Sequence, residues 1–119
     1  MIKQSFQQQR KENLILRALQ SIILLKIQKS DPQLQNLTIS VTRVDVARTT
    51  SFAKVFLNVY PEEKQKDFIN SLNENKSIIR KFLGDALKDK LRTIPDLKFY
   101  VDDAVIRMRK IEELLKNIE

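Results

Sequence analysis

The chain has 119 residues, 42% hydrophobic and 31% charged, the length and balance of a single domain with one modest core and a well-solvated surface. Lys and Arg number 22 against 15 Asp and Glu, a formal charge of +7, which points to a polyanionic partner, either nucleic acid or an anionic membrane surface. With no His, no Cys and a single Gly, the sequence excludes disulfides, thiolate nucleophiles, zinc fingers, imidazole ligands and Ser-His dyads, and also the Gly-rich phosphate loops and the GxxG nucleic-acid loop, which need more than one glycine.

In chain order, the first element reads as a helix: Leu14, Ala18, Leu19, Ile22, Leu25 and Ile27 recur near helical spacing. Ser30-Asp31-Pro32 stops it, because the residue before a proline is steered away from the helical region. The period then changes to two, with Leu37, Ile39 and Val41 alternating with polar residues. The phase slips at Arg43 before Val44 and Val46 resume it, as a β-bulge would produce. Ala47-Arg48-Thr49-Thr50-Ser51 is a short polar hairpin link to a second strand, in which Ala53, Val55, Leu57 and Val59 share one face.

Pro61-Glu62-Glu63 suits the first turn of a helix, whose buried side carries Phe68, Ile69 and Leu72. Asn73-Glu74-Asn75-Lys76-Ser77 holds poor or neutral helix formers and predicts a kink. Helical spacing resumes with Ile78, Ile79, Phe82, Leu83, Ala86, Leu87 and Leu91. After Pro95, Leu97, Phe99 and Val101 alternate as a third strand. Asp102 or Asp103 caps a last helix with Val105, Met108, Ile111, Leu115 and Ile118 on one side. The order α-β-β-α-(kink)-α-β-α predicts a two-layer α+β domain, a three-stranded sheet packed on helices. It spans 1–119, with residues 1–9 and the helix over 103–119 as its mobile ends.

The charge has two centres. Met1 to Ser30 carries six basic residues against one acidic, and Lys76 to Arg92 six against two, whereas Thr93 to Glu119 is slightly acidic. In the middle unit Lys76, Arg80, Gly84 and Lys88 fall in one row at four-residue spacing, with Lys81 beside it and Lys90 and Arg92 following. Such a stripe can neutralise successive phosphates; it could equally be a solvated face. Gly84 in mid-helix costs ~1 kcal/mol relative to Ala, and reads either as tight packing on a neighbouring element or as a place where a nucleic-acid backbone comes close. Arg43, Arg48 and Lys54 cluster round the hairpin, and Arg10, Lys11 and Arg17 line the start of the first helix. Phe56, Lys98 and Tyr100 fall on the polar side of their strands. They could form a base-stacking platform, but the expectation is that another element, the last helix or a partner, covers Phe56. No carboxylate pair has acid/base geometry, so the chain reads as a binding protein and not an enzyme, with no cofactor.

These segments together resemble the ribosome-binding factor A family. The resemblance is carried by Ser30-Asp31-Pro32-Gln33-Leu34, Leu37-Thr38-Ile39, Val44-Asp45-Val46, Ala53-Lys54-Val55-Phe56-Leu57-Asn58-Val59, Ile79-Arg80-Lys81-Phe82-Leu83-Gly84 and Leu91-Arg92-Thr93-Ile94-Pro95-Asp96-Leu97-Lys98-Phe99. It implies a type II KH-like fold in which a helix-kink-helix, usually marked Ala-x-Gly, replaces the GxxG loop; here that position reads Asn75-Lys76-Ser77. It further implies a bacterial, cytoplasmic, non-enzymatic factor that binds the immature small ribosomal subunit and its ribosomal RNA as a monomer. The family assists late rRNA maturation and cold adaptation. Lys76, Arg80, Lys81, Lys88 and Arg92 occupy the matching positions. Two other readings stand beside it. One is a protein-interaction module using the sheet face or last helix without RNA contact; the other is peripheral membrane binding, which the shortage of aromatic anchors in the N-terminal segment disfavours. The longest apolar run is Ile22-Ile23-Leu24-Leu25, far short of a membrane span.

Overall fold

The computed structural model describes residues 6–47 and 51–118, the side chains of 104–107 and 118 excepted; Arg48 of the hairpin link lies outside the described residues. Helix α1 runs Phe6–Ile22. It continues as a wider π-helical stretch, Ile23–Gln28. The sequence predicts an ordinary helix here with Leu25 on its apolar side. Ile23, four residues after Leu19 and eight after Ile15, continues the buried line at 0% exposed, whereas Leu25 falls off that line and is 57% exposed. The expected stop holds. Asp31 Oδ1 accepts from the Gln33 amide at 2.9 Å and caps the short turn Pro32–Leu34, and Gln28 Nε2 donates to the carbonyls of Leu34 and Leu37.

Strands β1 (Thr38–Val46) and β2 (Phe52–Tyr60) pair antiparallel. Their register shifts between Val41 and Arg43, so Thr42 is the extra residue of the predicted bulge. Strand β3 (Asp96–Val101) lies on the other side of β2 and parallel to it, giving the order β1-β2-β3. A parallel neighbour requires a long crossover, supplied by α2 (Gln65–Glu74) and α3 (Lys76–Leu87). These two helices meet at Asn75, whose φ of −109° and ψ of 20° break the helical path. The predicted kink is therefore a one-residue break. Helix α3 also stops at Leu87, short of the expected Leu91. Lys88-Asp89-Lys90 form a turn in which the Lys90 and Leu91 amides both donate to Leu87 O, and this turns half-buried Leu91 back onto the core.

The helices pack on one face of the sheet, where Ala53, Val55, Leu57, Leu97 and Phe99 meet Ile15, Leu19, Ile79 and Leu83 in a single core. The opposite sheet face is open. Strand β1 is an edge, and α1 side chains occupy its outward backbone groups. Gln20 donates to Ile39 O and accepts from the Val41 amide, while Glu12, 8% exposed, accepts from the Val46 amide at 2.7 Å. This covering protects an edge that would otherwise template pairing with another chain. Helix α4 (Ala104–Ile118) is different: none of its described side chains from 108 to 117 is buried, and Met108, Ile111, Leu114 and Leu115 are all more than half exposed.

Candidate nucleic-acid interface

Two sequence-distant basic centres meet at one end of the helical layer. Helix α1 packs against α3, and the turn after α3 lies beside the start of α1. A small cleft there is lined by Gln7, Arg10, Lys11, Leu14, Lys90 and Leu91. Arg10 and Lys90 are exposed and Lys11 is half-buried. Lys76, Lys81, Lys88 and Arg92 are exposed along the same helix and loop. Among the described residues none of Lys81, Lys88, Lys90 and Arg92 forms an ion pair with a carboxylate, so these charges are available to an external anion.

Arg80 sits in the middle of the stripe but has partners within the chain. Its Nη2 donates to Ile94 O at 2.7 Å and its Nε to Pro95 O at 3.2 Å, with the Asp96 carboxylate 3.5 Å away. The planar guanidinium thus fastens the loop that leads from α3 into β3. Nothing in the sequence pattern marks this role, since a four-residue row of cations looks the same whether its members face solvent or a neighbouring loop.

The hairpin cations form a separate group on the open sheet face. Arg43 pairs with Asp45 at 3.2 Å and lies over the Phe56 ring, 4.2 Å from its centre. Phe56 stacks on Tyr100 with ring centres 5.5 Å apart and planes at 26°, and Lys98 Nζ lies 5.5 Å from the Tyr100 centre. Phe56 is half-buried, flanked by Arg43 and Tyr100, its register neighbours on β1 and β3. Lys54 is exposed on this face, opposite the helices. The structure therefore does not bring Arg43 and Lys54 together with the α1 and α3 cations.

Asp102 Oδ2 accepts from the Thr42 hydroxyl at 2.5 Å, tying the end of β3 to the bulge of β1. Among the described residues no group of three His, Cys, Asp or Glu is placed to hold a metal ion, and no helix is long and apolar enough to cross a membrane. A broad groove opens at the helix break between Ile27, Leu34, Phe68, Ile78 and Phe82, with Lys26 5.8 Å above the Phe82 ring.

An α-β-β-α-α-β core with antiparallel β1–β2, parallel β2–β3 and a broken helix in the crossover defines a KH-like α+β domain, one in which the helix break stands in place of a glycine loop. The ribosome-binding factor A family model matches residues 7–115, and the chain belongs to that family. It is 38% identical over 81 residues to the ribosome-binding factor A of Christiangramia forsetii, covering 68% of this chain and 62% of that one. To that of Finegoldia magna it is 36% identical over 89 residues, covering 74% and 72%. The match spans a little under two thirds of the Christiangramia protein and of its two Flavobacterium counterparts, at 62%, 66% and 65% of their lengths. The fold is similar to the crystal structure of ribosome-binding factor A from Thermus thermophilus, with a TM-score of 0.62 at 22% identity over 79% of this chain and 94% of that one.

Proposed function

We propose that this chain binds the immature small ribosomal subunit through phosphate contacts to its ribosomal RNA, made by Arg10, Lys11, Lys76, Lys81, Lys88, Lys90 and Arg92. In this reading it is a non-enzymatic, cytoplasmic factor that acts as a single copy in late maturation of the small-subunit rRNA. Family membership supports a ribosomal partner. The observation that carries the RNA surface is the meeting of Arg10 and Lys11 with Lys90 beside unpaired Lys81, Lys88 and Arg92. Each phosphate neutralised by such a cation releases counterions, so affinity falls steeply with salt. The domain supplies a cationic edge, which suits holding RNA.

The test is co-sedimentation with purified immature small subunits at several salt concentrations. Lys81→Glu/Lys88→Glu should weaken binding by roughly ten- to a hundredfold and lower the salt slope by about two. Unchanged affinity and slope would sink this surface. The exposed apolar side of α4 favours a second reading, a protein-interaction module. There Ile111→Ser/Leu115→Ser would remove binding, the lysine reversals would not, and salt would have little effect.

A further inference from the structure

Gly84 is a helix-interior glycine that this fold does not require. Its φ is not positive, so no backbone strain calls for glycine. A Cβ built on it would meet one atom within 4 Å, Ile94 Cγ1 at 3.7 Å, which is ordinary van der Waals contact. The tight-packing reading therefore fails, and Ala would fit with the better helix propensity. A local choice that weakens its own helix without an internal return is what functional sites impose. The surroundings say which function. Gly84 is partly open to solvent, one turn from Lys88 and three residues from Lys81, both exposed and unpaired. Across from it lies the loop Arg92-Thr93-Ile94-Pro95, held in place by Arg80 through Ile94 O and Pro95 O. The bare helix at 84 is thus the floor of a notch between flanking cations and a fastened loop.

We infer that the RNA strand held by this surface passes closest to α3 at Gly84, and that residue 84 has no side chain because one would stand in the strand's path. This rests on the RNA reading above. Lys81, Lys88 and Arg92 reach the phosphates on either side of the notch, and Arg80 acts as a positioning residue that keeps the loop wall in place.

The experiment compares Gly84→Ala, Gly84→Gln and the control Ala86→Gln, which places the same side chain at an exposed site two residues on. Each is read by thermal melting and by co-sedimentation with immature small subunits, alongside Lys81→Glu/Lys88→Glu. Gly84→Ala should melt a few degrees higher. Gly84→Gln should stay folded yet bind about tenfold more weakly, as the strand is lifted off one or two cation contacts, while Ala86→Gln binds as wild type. If Gly84→Gln binds as wild type while the lysine reversals weaken binding, the notch is overturned and the RNA surface stands. If neither weakens binding, both fall. A lower melting temperature for Gly84→Ala would show that internal packing needs the glycine and would also overturn the inference.

Discussion

Asn73, two residues before the helix break, holds the backbone of Phe99 at both of its polar atoms. Its Nδ2 donates to Phe99 O at 2.9 Å and its Oδ1 accepts from the Phe99 amide at 2.8 Å. Strand β3 is the outer edge of the sheet, and these two bonds close that edge where no further strand can. Only a side-chain amide carries a donor and an acceptor side by side for this purpose. On the opposite edge Gln20 does the same for Ile39 O and Val41 N. Two amides thus replace missing strands, and the helix that carries Asn73 ends two residues later.

Asn73→Ala should lower stability by about 2 kcal/mol, roughly one for each bond lost, and lower the melting temperature by about 5–10 °C. Asn73→Asp should cost at least as much, since it keeps an acceptor for the amide but turns a second oxygen toward Phe99 O. Amide hydrogen exchange at Phe99 reads the clasp directly. Wild-type protection of Phe99 in Asn73→Ala would show that the edge is closed by something else.

Arg80→Ala should separate positioning from binding. Its guanidinium bonds to Ile94 O and Pro95 O are partly exposed, and the Asp96 pair, with side chains 47% and 72% exposed, is screened by water. A stability loss of about 1–2 kcal/mol follows for these bonds. Because this charge is spent inside the chain, the salt slope of binding should stay at its wild-type value while affinity falls with the loosened loop. A slope reduced by about one would mean that Arg80 contacts phosphate itself.

The unequal burial of Ile23 and Leu25 makes a direct prediction. Ile23→Ala removes a fully buried side chain and should cost about 3–4 kcal/mol, whereas Leu25→Ala, at a 57% exposed site, should change stability by less than about 1 kcal/mol. Urea melts of the two variants decide it. Equal losses would place both residues on the core.

The pattern of apolar residues is enough to read the element order, a bulge next to Arg43, the stop at Asp31 and the inward face of every strand, because each is set by local spacing or by proline. Three things were not legible. The widened turn at Ile23–Gln28 depends on how α1 meets the sheet, and the sequence spacing fits an ordinary helix equally well. The parallel pairing of β2 with β3 follows from the crossover's path and not from the composition of either strand. For the cations, charge spacing placed Lys76 to Arg92 on one unit but could not say that Arg80 turns to a loop, nor that Arg10 and Lys11 come to rest beside Lys90. Those are tertiary contacts, and a charge has no periodicity that announces its partner.

The stack on the open sheet face gives a last test, because it decides whether Arg43 is available to RNA. Arg43 lies over Phe56 and beside Asp45, while Phe56 also stacks on Tyr100. If the guanidinium is committed to the ring, a double-mutant cycle of Arg43→Ala and Phe56→Ala should show a coupling of about 0.5–1 kcal/mol in urea denaturation, the range for a cation over an aromatic face at a partly exposed site. Phe56→Ala alone should cost about 2 kcal/mol, since it also removes the aromatic pair with Tyr100 and half-buried apolar area. With that coupling, Arg43→Ala leaves the binding of small subunits and its salt slope at the wild-type values, and the sheet face serves to fasten three strands together. A coupling near zero, with a salt slope lowered by about one in Arg43→Ala, would instead extend the phosphate-binding surface round the edge of β1 to the second face of the domain.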